Sequence, residues 1–96
     1  MTPDFIVRTT PHFDRLAKRL RKQHQEFTDR YEKAVSILRK DPYNRTRRYQ
    51  IKKLENVPPG EGEYRLRLRR FRFRYDIEGR EVILHRCGLR REDTYE

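Results

Sequence analysis

From Tyr64 to Tyr75 the chain reads YRLRLRRFRFRY, a stretch that leaves little freedom for anything but paired strands. Arg65 and Arg67 alternate with Leu66 and Leu68, and Arg72 and Arg74 alternate with Phe71 and Phe73. Strict alternation has the period of a half-buried strand, because successive side chains leave opposite faces. The phase inverts once, at Arg69-Arg70. A two-residue turn there pairs Leu68 with Phe71, Arg67 with Arg72, Leu66 with Phe73, and Arg65 with Arg74. The apolar side chains of both strands then share one face, and the guanidinium groups share the other. Like charges directly opposite one another destabilise a strand pair. An anion resting on that face offsets the repulsion. Arginine suits phosphate, because its rigid fork of donors matches phosphate oxygens and its charge is permanent. The pattern therefore predicts a hairpin with a phosphate-binding face.

Composition agrees. The chain has 96 residues, which predicts one domain over 1–96, and a net charge of +10 from 25 basic and 15 acidic residues. Such basicity favours a polyanionic partner such as nucleic acid, or a protein with an acidic segment. Hydrophobic residues make up 33% of the chain, but they are periodic rather than scattered, which argues against disorder. The lone Cys87 excludes an intramolecular disulfide framework and a cysteine-based zinc cluster. No apolar run resembles a signal peptide or approaches the roughly 20 residues of a membrane span. The expectation is a soluble, cytoplasmic protein with no membrane partner, no metal and no cofactor.

Asp4 to Thr9 reads as a first strand. Thr10-Pro11 suits a helix start, since threonine caps free amides and proline fits the first turn. Phe13, Leu16, Ala17 and Leu20 form one apolar stripe, and Phe27, Tyr31, Ala34, Val35 and Leu38 form another. These predict a helical hairpin broken near Gln23-His24, or one bent helix, ended by Asp41-Pro42. Tyr49 to Leu54 fits either an extended or a helical piece, and Val57 to Gly62 is a loop. A turn at Glu78-Gly79 and a strand over Glu81 to Cys87 follow the arginine hairpin. If that turn has two residues, Tyr75 faces Val82, Phe73 faces Leu84, and His85 lies opposite Arg72. A loop one residue longer would pair different residues. The fold class is α+β: a small antiparallel sheet in the order β-α-α-β-β-β, with the helical hairpin packed on one face.

A helix pair ending in Asp41-Pro42, then Lys52-Lys53-Leu54, then Tyr64-Arg65-Leu66-Arg67-Leu68 with Phe71-Arg72 resembles the RelE/ParE superfamily of type II toxins. In that family the hairpin typically reads aromatic-Arg-x-Arg-x-Gly-Asp-Tyr-Arg, and a Gly-His-Arg-like stretch ends in tyrosine. The counterpart of that ending is Gly88-Leu89-Arg90, then Arg91 to Thr94, then Tyr95. The resemblance covers nearly the whole chain. It implies the RelE-like microbial RNase fold, closed by a short C-terminal helix, and a cognate acidic antitoxin as partner. RelE-like members cleave mRNA in the ribosomal A site without metal, whereas ParE-like members share the fold and inhibit DNA gyrase.

Carried over by position, the RelE-like set falls on Arg65, Arg67, Arg72, Arg90 and Tyr95. The resemblance implies Arg72 and Arg90 as stabilisers of developing charge and Tyr95 as general base. A phenol serves as a base near neutrality only when positive charge lowers its pKa. Arg65 and Arg67 are expected to hold the RNA backbone, joined on the same face by Arg74 and His85. Histidine is the side-chain type that titrates nearest neutrality, though a structural role in a strand is the simpler reading of His85. Two departures stand out: arginines replace the family's usual lysines on the first strand, and Arg69 replaces the glycine of the turn, where a positive φ would strain it. A non-catalytic basic module that binds nucleic acid remains the reading from outside the family.

Overall fold

A computed structural model describes residues 4–90, in the order β1 (Ile6–Thr9), α1 (Pro11–Gln23), α2 (Phe27–Lys40), β2 (Gln50–Lys53), β3 (Tyr64–Leu68), β4 (Phe71–Glu78) and β5 (Glu81–Leu89). The expected helical hairpin forms where the two stripes place it. Thr10 caps α1 by accepting from the Phe13 N–H, with Pro11 in the first turn. His24 lies outside the helical region and separates α1 from α2. Asp41 ends α2, as its position before Pro42 requires.

The sheet has five strands in the order β1-β5-β4-β3-β2. The α+β class is as expected, but the sheet is mixed rather than wholly antiparallel, because β1 runs parallel to β5. A parallel pair needs a long crossover, which the helical hairpin begins. The undecided Tyr49 to Leu54 segment contains a strand, Gln50–Lys53, which pairs antiparallel with β3 at the sheet edge. The short C-terminal helix implied by the family lies outside the described residues.

Both helices cover one sheet face. Phe13, Ala17 and Leu20 from α1 and Phe27, Ala34, Ile37 and Leu38 from α2 join Leu66, Phe71, Phe73, Tyr75, Val82, Leu84 and Cys87 in a single core. Phe27 meets the edge of Phe71 at 5.4 Å between ring centres and stacks on Phe73 at 6.1 Å. Such contacts add to the burial of large rings. The Tyr75 hydroxyl reaches through this layer and donates to the Pro42 carbonyl at 2.6 Å, tying the end of α2 to β4. Among the described residues no helix is long and apolar enough to cross a membrane.

The hairpin register is the expected one: Leu68 pairs with Phe71, Arg67 with Arg72, Leu66 with Phe73, and Arg65 with Arg74. Arg69 supplies the positive backbone angle of the turn itself, at φ 58°. The second register differs from expectation. Glu78 pairs with Glu81, so Gly79 and Arg80 make the turn, Tyr75 pairs with Leu84, and Phe73 pairs with Cys87. Arg72 faces Gly88, not His85. Two causes add. The turn sits one residue later than expected, which moves every partner by two. A register shift between Tyr75 and Arg74, paired with Arg86, leaves His85 as an extra residue in β5 and moves the partners beyond it by one more. A bulge of this kind inserts a residue and re-aims its neighbours.

Candidate nucleic-acid interface

Residues paired directly across strands share a face, so the register alone builds the surface opposite the helices. One row runs Lys52, Arg65, Arg74, Arg86 across β2 to β5. The next runs Gln50, Arg67, Arg72, Gly88. Leu66, Phe71, Phe73 and Tyr75 are fully buried beneath them, whereas the hairpin arginines are half-buried. All four arginines expected on this face are there. Lys52 and Arg86 join them unforeseen, because their placement depends on β2 and on the bulge. Gly88 ends the second row without a side chain.

Arg90 lies at that same end, held by its backbone N–H, which donates to the Arg70 carbonyl at 2.7 Å. Burial first, then the charges of Arg90 and Arg72, hold the Arg67 guanidinium below its ordinary range. Arg67, Arg72 and Arg90 therefore form one electrostatic cluster, and arginine stays cationic at neutral pH even when so disfavoured. Arg70 is diverted from it: its Nη2 donates to Glu26 Oε2 at 2.6 Å and meets His24 Nδ1 at 2.9 Å. That contact pins the hairpin turn to the break between the helices.

Asp76 is a component that sequence reasoning missed. It is buried on the arginine face beyond Arg74, and it accepts from the Gly62 N–H at 3.1 Å and the Glu63 N–H at 2.8 Å. Its Oδ2 lies 2.8 Å from His85 Nε2, a close approach that is not aligned as a hydrogen bond. Gly62 completes the arrangement, since its carbonyl accepts from Arg74 Nε at 3.1 Å. A Cβ on Gly62, at φ +86°, would stand 2.9 Å from the Arg74 Cβ. The Val57 to Gly62 loop is thus the brace of Arg74 and Asp76. The only legible trace of it was its pair of glycines.

His85 shares the face with the arginines, as expected, but sits beside Asp76 instead of Arg72. Tyr95 lies outside the described residues. Burial pushes the Cys87 thiol up to about 12, so it packs as a small apolar group. Among the described residues, no three His, Cys, Asp or Glu side chains gather closely enough to hold a metal ion. Chemically, the surface offers fixed cations in two rows, a cationic cluster at one end, and a braced carboxylate–imidazole pair at the other.

No protein-family model and no curated protein sequence matches the chain. A search of solved structures finds a chain of the RelB–RelE antitoxin–toxin complex from Methanococcus jannaschii, 17% identical, with a TM-score of 0.53. The match covers 92% of this chain and 94% of that one. At that identity the likeness speaks for architecture, and the architecture of this chain is RelE-like.

Proposed function

We propose that the chain is the toxin of a type II toxin–antitoxin pair and cleaves mRNA in the ribosomal A site without a metal ion. The observation that carries this reading is the convergence of Arg67, Arg72 and Arg90 where the hairpin turn meets the end of β5. Arginine forks gathered at one place suit an anion with several oxygens, and a scissile phosphate is such an anion. The likeness to a RelB–RelE complex supports the toxin role and an antitoxin as partner, and the net charge of +10 favours an acidic one. The ribosome with its bound mRNA would be the second partner.

In this reading the 2′-oxygen loses its proton, attacks the adjacent phosphorus, and the bond to the 5′-oxygen breaks. The products are a 2′,3′-cyclic phosphate and a 5′-hydroxyl, once the leaving oxygen takes a proton. Arg72 and Arg90 stabilise the extra charge on the pentavalent phosphorus; a single preorganised donor of this kind contributes roughly 3 to 4 kcal/mol. Arg65, Arg67 and Arg74 hold the backbone, and Tyr95 acts as the base. Primer extension on an mRNA in a reconstituted translation system tests the proposal. Cuts confined to ribosome-engaged message are the expected result. Equal cutting of naked RNA would overturn the ribosome dependence, and inhibited gyrase supercoiling with no cutting would replace this reading by the ParE-like one.

A further inference from the structure

A second cationic feature lies off the sheet face, in an open groove of about 580 Å³ between α2 and the β2–β3 edge. Helix α2 supplies Arg30 and Lys33, the approach to β2 supplies Arg48, and the hairpin supplies Arg67 and Arg69, with Arg90 at the end. None of the described residues lining it is acidic. Two other depressions differ. One beside it sets Glu26 among its arginines, and one on the far side of α2 balances Asp4 and Glu32 against Arg39 and Lys40.

We infer that this groove binds the backbone of single-stranded RNA flanking the cleaved bond, with Arg30, Lys33 and Arg48 as its phosphate contacts. The inference rests on the RNA-cleaving reading and extends it to residues off the sheet face. Three observations carry it. The groove shares Arg67 and Arg90 with the proposed catalytic cluster, so a strand leaving the cluster enters it directly. The Nε–H groups of Arg30 and Arg67 are buried with no hydrogen-bond partner among the described residues. Leaving such a donor unmet costs about 1–3 kcal/mol, and more when it is charged; turning either guanidinium toward the groove would bring its donors within reach of phosphate oxygens. Finally, the wall bearing Arg48 is rigid before any ligand binds. Asn44 Nδ2 donates to the Tyr49 carbonyl at 2.8 Å, and the Tyr49 N–H donates to Asn44 Oδ1 at 3.1 Å.

The chemistry favours RNA over an acidic peptide. A docked amphipathic helix needs a line of apolar anchors, and here Ile37 is already buried in the core, leaving Leu68 and the ring of Tyr49. All the cations but Lys33 are arginines, the residue whose fork fits phosphate. Tyr49 supplies a surface on which an unpaired base can stack.

The test is binding of the full chain to a fluorescein-labelled, 2′-O-methylated RNA of ten nucleotides, which cannot be cleaved, across a series of salt concentrations. Each phosphate contact on a single strand contributes about 0.7 to the slope of log affinity against log salt. Replacing Arg30, Lys33 and Arg48 by alanine should lower that slope by about 2 and the low-salt affinity at least tenfold. The charge-matched control replaces Arg15, Lys18 and Arg19 on the exposed side of α1, and it should keep the parent slope. An unchanged slope in the groove variant, or no RNA binding by the folded parent, overturns the assignment. Retained RNA binding with lost binding of polyglutamate hands the groove to an acidic protein. A parent that binds RNA through the groove yet cuts nothing on ribosomes would sink the cleavage reading and leave the groove standing.

Discussion

At the scale of single residues, the arginines of the open face divide by what holds them. Arg74 is fixed by the Gly62 carbonyl, next to the carboxylate of Asp76, which accepts from the same loop. Arg72 faces Gly88 and lies within electrostatic reach of Arg67 and thus of the Arg90 cluster. Arg72→Ala should therefore lower the single-turnover cleavage rate on ribosomes by about a hundredfold or more with little change in ribosome affinity. Arg74→Ala should show the reverse pattern, weaker binding with a nearly unchanged rate. If both variants lose affinity and keep their rate, the catalytic role of Arg72 is wrong. Tyr95→Phe removes only a hydroxyl and should cost about 10² to 10⁴-fold in rate if Tyr95 is the base. The loop can be probed without touching a charge. Gly62→Ala combines a left-handed backbone angle with a 2.9 Å approach to Arg74, so it should destabilise the fold by more than about 1 kcal/mol in urea unfolding. A neutral result would mean that the loop does not brace Arg74.

At the scale of elements, the hairpin turn sets stability against charge. Arg69 holds φ 58°, a region that costs an ordinary residue roughly 1–2 kcal/mol and glycine almost nothing. Arg69→Gly should thus raise the thermal midpoint, by about 4–8 °C for each kcal/mol recovered in a domain of this size, while weakening RNA binding in the groove that Arg69 lines. A lower midpoint would show that the turn is not strained. The hairpin was legible in the sequence because its alternation is strict on both strands and a slip by one residue would bury arginine. Strand β5 was legible as a strand but not in register, since Gly79 fits either central position of a two-residue turn and a bulge at His85 is a backbone event that no side-chain pattern announces. Strand β2 offers one apolar residue, Ile51, in four, too few to declare a period. The direction of β1 depends on which partner it reaches across the helical hairpin, and the sequence carries no mark of that. Asp76, in the run Tyr75-Asp76-Ile77-Glu78-Gly79, reads as an ordinary acid near a turn. Only the fold brings Gly62 and His85 to it.

At the scale of the whole molecule, helices cover one side of the sheet and a concentration of arginines occupies the other, so the joint between the layers has to resist self-repulsion. That joint is the segment after α2. Pro42 is buried and accepts from Tyr75, and Asp41, 9% exposed, accepts from the Arg45 N–H at 2.8 Å, the Thr46 N–H at 3.1 Å and the Thr46 hydroxyl at 2.6 Å. Burial alone would push the Asp41 carboxyl up. The hydrogen bonds from Thr46 and Arg45, with the charge of Arg45, outweigh burial and hold it below the usual aspartate value. A carboxyl whose folded pKa is depressed contributes stability that is complete above its unfolded pKa, about 3.9, and is lost as pH falls through the folded value. Asp41→Asn keeps the shape, and an amide oxygen can keep part of the bonding, but the charge is gone. The variant should be less stable than the parent by about 1–3 kcal/mol at pH 7. The gap should hold down to about pH 5 and close from about pH 4 downward, because the parent then protonates and loses what the variant never had. Urea unfolding of both proteins at a series of pH values measures the gap directly. A gap that stays constant through pH 3 would mean that the Asp41 charge contributes nothing and that the turn is held by its shape alone.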